Sequence, residues 1–194
     1  MDRRKALKNI GLSLGYIVAT PTVISLLQSC KTDIVEWTPI FLTSDEGVVV
    51  KNLVDLILPK TKNTPGALEV NVPEFIDVYA AKASSEEDQN KLKEGLSAII
   101  KALQLPVSKL KTDNYEGLLA KYLRASKEER ENFKDSKEDL LVLKALESLK
   151  NSSVWAYKTS QKIGEEVLAY DPIPGVQLGC VSLKETTGGK AWSL

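Results

Sequence analysis

Few side chains in this chain of 194 residues could do covalent or acid–base chemistry, and their types narrow the options. There are two cysteines, Cys30 and Cys180, and no histidine. Imidazole is the commonest general base near neutral pH and the commonest protein ligand for metals. With no imidazole and two thiols, this chain alone can assemble neither a four-ligand zinc site nor a four-cysteine iron–sulfur cluster. Haem attachment through Cys-x-x-Cys-His is excluded as well. No Gly-x-Gly-x-x-Gly or Gly-x-x-x-x-Gly-Lys-Ser/Thr segment is present to cradle the phosphates of a nucleotide. Carboxylates are plentiful, but they are scattered among lysines at helix-face spacing. The expectation is a protein with no catalytic, cofactor or metal site of its own. From Cys30 onward it carries 22 basic and 25 acidic residues, so it lacks the basic surface that nucleic-acid binding needs.

The thiol with the most informative surroundings is Cys30. Leu27-Gln28-Ser29 precede it, an apolar residue three positions before and a small one immediately before. This resembles the lipobox of bacterial lipoproteins, which makes Cys30 the expected lipidation site. Upstream, Asp2-Arg3-Arg4-Lys5-Ala6-Leu7-Lys8 resembles the twin-arginine export motif, with Arg3 and Arg4 as the pair and Ala6 at its usually aromatic position. Between them lies Ile10–Leu27, 18 residues without a charge, containing Gly11, Gly15 and Pro21. Residues 1–29 are therefore read as an export signal, 30–42 as a tether and 43–194 as the folded domain. An uncleaved membrane anchor is the other reading of this segment, near the lower length limit for a span. Both readings place the body at the bacterial cell envelope, on the periplasmic side or at the outer membrane. Trp37 and Phe41 of the tether are expected to pack on the body. After acylation of Cys30, Cys180 has no intramolecular disulfide partner, and a free thiol of this kind is expected to be buried, in the core or at a subunit contact.

Around these residues the body reads as all-α, an irregular bundle of about five to six helices. Thr43-Ser-Asp-Glu46 is a capping box, followed by Val49, Val50, Leu53, Val54 and Ile57 at helical spacing and stopped by Pro59. Pro73 starts a second helix to about Ala83, with Phe75, Ile76 and Tyr79 facing inward. Ser85, followed by three acids, opens a third to about Gln104, with Leu92, Leu96, Ile99, Ile100 and Leu103 on one face. Thr112 or Asp113 caps a fourth carrying Tyr115, Leu118, Leu119 and Tyr122. Ser126-Lys-Glu-Glu129 caps a charged, solvated stretch. Ser136-Lys-Glu-Asp139 opens the longest apolar run, Leu140 to Tyr157, with Asn151-Ser-Ser153 as a candidate interruption, and a last helical piece covers Thr159 to Leu168. Two segments do not fit this pattern: the long Pro/Gly loop after Ile57 and the irregular tail from Ala169, which must lie on the body or on another molecule.

These pieces together resemble the gluconate 2-dehydrogenase subunit 3 family. The resemblance rests on Asp55-Leu-Ile-Leu-Pro59, Thr64-Pro-Gly-Ala67 and Val72-Pro-Glu-Phe-Ile-Asp77. It continues at Leu168-Ala-Tyr170, Ile173-Pro-Gly175, Gly179-Cys-Val181 and a Gly-Gly pair before Trp192. It implies a non-catalytic small subunit of a flavin-dependent, glucose–methanol–choline type sugar or alcohol dehydrogenase. The large partner would hold the FAD and the catalytic histidine, and a cytochrome c subunit commonly takes the electrons. The small subunit would serve assembly, co-export and tethering through a lipid anchor. Pro65, Gly66, Ala67 and Leu68 of the loop, with Tyr170, Ile173, Pro174, Gly175, Val176 and Trp192 of the tail, are then the expected partner contacts. The alternative from a different class is a free-standing envelope lipoprotein with a structural or ligand-binding role.

Overall fold

The computed structural model describes residues 37–171, 175 and 180–193. Arg3, Arg4 and Cys30, and with them the export and lipidation readings, lie outside the described residues, as do Ile173, Pro174 and Val176. The fold is all-α. Five longer helices, α1 (Ser44–Ile57), α2 (Val72–Lys82), α3 (Glu86–Ala102), α4 (Thr112–Tyr122) and α6 (Lys137–Thr159), are joined by the short α5 (Lys127–Asn132) and α7 (Leu183–Thr187). Among the described residues there is no β-strand, only an isolated parallel bridge between Ala169 and Trp192.

The helix starts follow from the sequence. Thr43 and Glu46 form the reciprocal capping box of α1, and Ser126 and Glu129 that of α5. Ser85 and Ser136 accept the amides of Asp88 and Asp139 at the starts of α3 and α6. Each such cap satisfies an orphan donor and contributes about 1 kcal/mol. The fourth helix differs from the reading. Lys111 stands at the cap of α4, and Asn114 Oδ1 accepts its amide at 2.9 Å, so neither Thr112 nor Asp113 acts as cap.

The helix α6 is the spine of the bundle, packing against α1, α2, α3 and α4. Val49, Val50, Leu53 and Val54 of α1, Leu143, Leu146 and Leu149 of α6, Leu96 and Ile99 of α3 and Tyr115 of α4 are all buried where these helices pack together. Each of these side chains contributes about 1.5–3 kcal/mol by leaving water. The α3–α6 crossing is close: a Cβ on Gly95 would lie 2.8 Å from Ala145 Cβ. The serines expected to interrupt α6 do not. Ser153 is buried, and its hydroxyl donates to the Leu149 carbonyl at 2.6 Å, so the helix satisfies its own polar side chain and continues.

Beyond α6 the chain breaks at Ser160. Instead of a plain helix to Leu168 it forms a π-helical turn, Ile163–Val167, closed by Leu168 N–H donating to Ile163 O at 2.9 Å. The far end of the tail returns to its start: Ala169 N–H donates to Ala191 O (2.9 Å) and Ser193 N–H to Ala169 O (2.8 Å), and Ser193 lies against Gly164 of the π-helical turn. Part of the tail read as irregular, Leu183–Thr187, forms the helix α7. Cys180 is exposed and so is not part of this chain's core, which leaves a subunit contact as the place where it would be buried.

Candidate functional site

The Pro/Gly loop is a closed lasso. Its base is tied by Ala67 N–H donating to Leu58 O (2.9 Å), and its tip by Thr61 N–H donating to Thr64 O (3.0 Å). Gly66 is required by close approach, since a Cβ there would lie 2.7 Å from the Lys60 backbone nitrogen. Glu69 reaches back to accept from the Lys60 ammonium and from the Gly66 amide, and these two contacts hold its carboxyl below the usual range. The Tyr157 hydroxyl, from the end of α6, donates to Pro65 O at 2.6 Å and pins the loop to the spine.

The expected contact residues are thus distributed unevenly. Gly66 and Ala67 are buried within this protein and Pro65 and Leu68 are half-buried. Tyr170 and Trp192 of the tail are about half exposed, at 53% and 47%, and Gly175 is exposed.

A different surface is more pronounced. Phe75 and Tyr79 were expected inward, but they are 39% and 44% exposed, because Ile76 and Ala80 take the core-facing positions of α2. Trp155 of α6 joins them at 42% exposure. The three rings form a mutual cluster: Phe75 and Tyr79 stack at 5.9 Å, and Trp155 meets each edge-on at 5.2 Å. They line a groove of about 790 Å³ between α2, α3 and α6, which runs past Leu92 and Leu141 to a polar rim that includes Asp88, Lys91 and Lys144. Rigid exposed aromatics framed by polar residues are the composition of interaction hot spots. Sequence reading missed this set by treating every apolar residue of α2 and α6 as core. The helical wheel separates them: Trp155 stands about half a turn away from Leu146, at 100° per residue.

A second cleft, between α3, α4 and α6, holds the polar trio Lys121, Tyr122 and Asp139. The Tyr122 hydroxyl donates to Asp139 Oδ1 (2.5 Å), and the Lys121 ammonium reaches both (3.0 and 3.1 Å). Burial pushes the Tyr122 hydroxyl up, and Tyr122 followed by Lys121 pulls the Asp139 carboxyl down. With Lys121 and Tyr122 on α4 and Asp139 on α6, the trio fastens the two helices together.

Sequence reading also missed Asp77, the one fully buried carboxylate among the described residues. Its Oδ2 accepts the Ile40 amide (2.7 Å) and its Oδ1 the amides of Phe41 (3.0 Å) and Leu42 (2.8 Å). The tether thus packs on the body as expected at Phe41, over whose ring the Lys93 ammonium lies 4.7 Å from the centroid. No helix among the described residues is long and apolar enough to cross a membrane.

Among curated proteins and solved structures, no match is found. Residues 44–175, from the first residue of α1 into the tail, match the family described as gluconate 2-dehydrogenase subunit 3. That span takes in the pinned lasso, the aromatic groove and Asp77, and on it the chain belongs to the gluconate 2-dehydrogenase subunit 3 family.

Proposed function

We propose that this chain is the non-catalytic small subunit of a flavin-dependent sugar or alcohol dehydrogenase complex at the bacterial cell envelope. The family match over the helical domain carries this reading. A sequence without histidine or a glycine-rich phosphate loop supports a division of labour in which FAD and the catalytic base belong to the large subunit. The aromatic groove is the described surface best suited to hold that subunit, with Tyr170 and Trp192 as further anchors. Arg3 and Arg4 would direct export of the folded pair, and Cys30 would tether it through lipid. A flavoprotein folds around its cofactor, and a pathway that carries folded proteins suits a partner moved across in complex. A cytochrome c subunit is the expected electron acceptor.

The test is co-expression with a large flavoprotein subunit encoded alongside. The two should co-purify, and Trp155→Ala with Phe75→Ala should weaken the complex at least tenfold while the small subunit stays folded, since hot-spot aromatics contribute about 2 kcal/mol or more. Separate elution of the wild-type chains refutes the reading. A free-standing lipoprotein that takes an apolar ligand in the same groove is the second reading, and thermal stabilisation by such a ligand in the absence of any flavoprotein would favour it.

A further inference from the structure

Asp77 and Lys93 hold one short stretch of chain from both sides. Three consecutive amides, of Ile40, Phe41 and Leu42, converge on the buried Asp77 carboxylate. Successive backbone N–H groups aimed at one point form an anion-binding nest, and here the anion is the protein's own side chain, supplied from α2. On the opposite side the Lys93 ammonium donates to Phe41 O (3.0 Å) and pairs with Glu46. Glu46 Oε2 in turn accepts the Thr43 amide at 2.8 Å. All four amides from Ile40 to Thr43 are therefore satisfied by side chains and none by a neighbouring helix or strand.

We infer that Asp77 and Lys93 form a clip that fastens the strap Ile40–Thr43, the root of the N-terminal segment, to the folded body and releases it as a unit of its own. The physical reason is the short list of attachments. The strap contributes one buried apolar side chain, Leu42, to the core, whereas α1 contributes four valines and leucines. A segment held mainly by side-chain hydrogen bonds opens at lower free energy than one held by core packing, so the strap should detach without the bundle unfolding. Its acceptor, however, exists only when α2 is formed and packed. The folded body thereby fixes where the upstream chain departs, and an unfolded body does not. The inference does not depend on the proposed role in a dehydrogenase complex.

Hydrogen exchange of the full-length chain tests it. The amides of residues 40–42 should be protected, yet exchange faster than those of Leu53 and Leu146. Asp77→Ala should abolish protection at 40–42 while the amides of α1 and α6 stay protected. Lys93→Met keeps the stem and leaves Asp77 in place. It should speed chymotryptic cleavage after Phe41 by about tenfold or more, the effect of losing one charge-assisted hydrogen bond, with an unchanged helical circular-dichroism signal. Exchange of 40–42 at free-peptide rates in the wild type refutes the clip. Exchange at the same rate as Leu53 and Leu146 refutes independent release. Should Asp77→Ala fail to fold, Lys93→Met still decides, and unchanged cleavage in that variant overturns the inference.

Discussion

Replacing Gly95 with alanine sets two opposed effects against each other, and the geometry says which is larger. Gly95 lies within α3, where alanine on propensity alone would stabilise by about 1 kcal/mol. In this bundle the new methyl would lie 2.8 Å from Ala145 Cβ on α6. Carbon atoms rest about 3.5–4.0 Å apart. Both atoms are the first of their side chains, so no rotation relieves the overlap and the helices must separate. Overpacking of this kind costs roughly 1–3 kcal/mol. The net expectation for Gly95→Ala is a loss of about 1 kcal/mol, the overpacking cost less the propensity gain. That corresponds to about 2–4 °C in Tm for a domain of this size. The decisive comparison adds Ala145→Gly. Alone it should destabilise by about 1 kcal/mol through helix propensity. Combined with Gly95→Ala it should show a favourable coupling of about 1–3 kcal/mol, because the clash vanishes. Urea unfolding, with midpoints read at constant slope, supplies all four values. A Gly95→Ala protein more stable than the parent would refute the close crossing.

Three other outcomes are expected. Gly66→Ala should destabilise more than an ordinary loop substitution, by about 1–3 kcal/mol, since its methyl meets the Lys60 backbone and not a movable side chain; a midpoint within error of the parent would contradict this. Tyr157→Phe should cost about 1 kcal/mol and raise exchange of the Ala67 amide, because the Pro65 carbonyl loses its donor and the lasso its pin; unaltered exchange at Ala67 would argue against the pin. The third concerns acid. The Asp139 carboxyl titrates lower in the folded protein than unfolded, chiefly through the Tyr122 hydroxyl and then Lys121. Its contribution is present above the unfolded value of about 3.9 and is lost as pH falls through the folded value. The stability gap between the parent and Tyr122→Phe should therefore be widest near neutrality and narrow below about pH 4, and a gap that widens in acid would reverse the assignment.

The features legible in the sequence are those with local causes. The boxes at Thr43 and Ser126 and the serine caps at Ser85 and Ser136 mark helix starts because a cap and its amide lie three residues apart. The stripe of Val49, Val50, Leu53 and Val54 marks a buried face because the helical repeat is fixed. What escaped depends on distant partners. Nothing near Asp77 announces that amides 35 to 37 residues earlier in the chain will converge on it, and in isolation it reads as one more acid on an amphipathic helix. Gly95 reads as a weak spot in α3 until Ala145 is brought against it. Phe75, Tyr79 and Trp155 were misplaced for another reason. Phe75 and Tyr79 lie one position from the core-facing Ile76 and Ala80, so their neighbours across the bundle decide which side is covered, whereas Trp155 stands opposite Leu146 and the helical repeat alone places it outside. The short motifs of the loop and tail carried the family, while the groove between the helices had no motif to announce it.

The parallel bridge between Ala169 and Trp192 makes the chain from Tyr170 to Ala191 a ring closed on the bundle. The entropy of such a ring grows only with the logarithm of its length, so doubling it would cost about 0.6 kcal/mol. Gly188 and Gly189 within it have φ of +64° and +83°, with open space where a Cβ would stand. Gly188 ends α7 in the left-handed region, so an epitope or fluorophore belongs after Gly189, where the ring can lengthen with little thermodynamic consequence and the helices keep their ends.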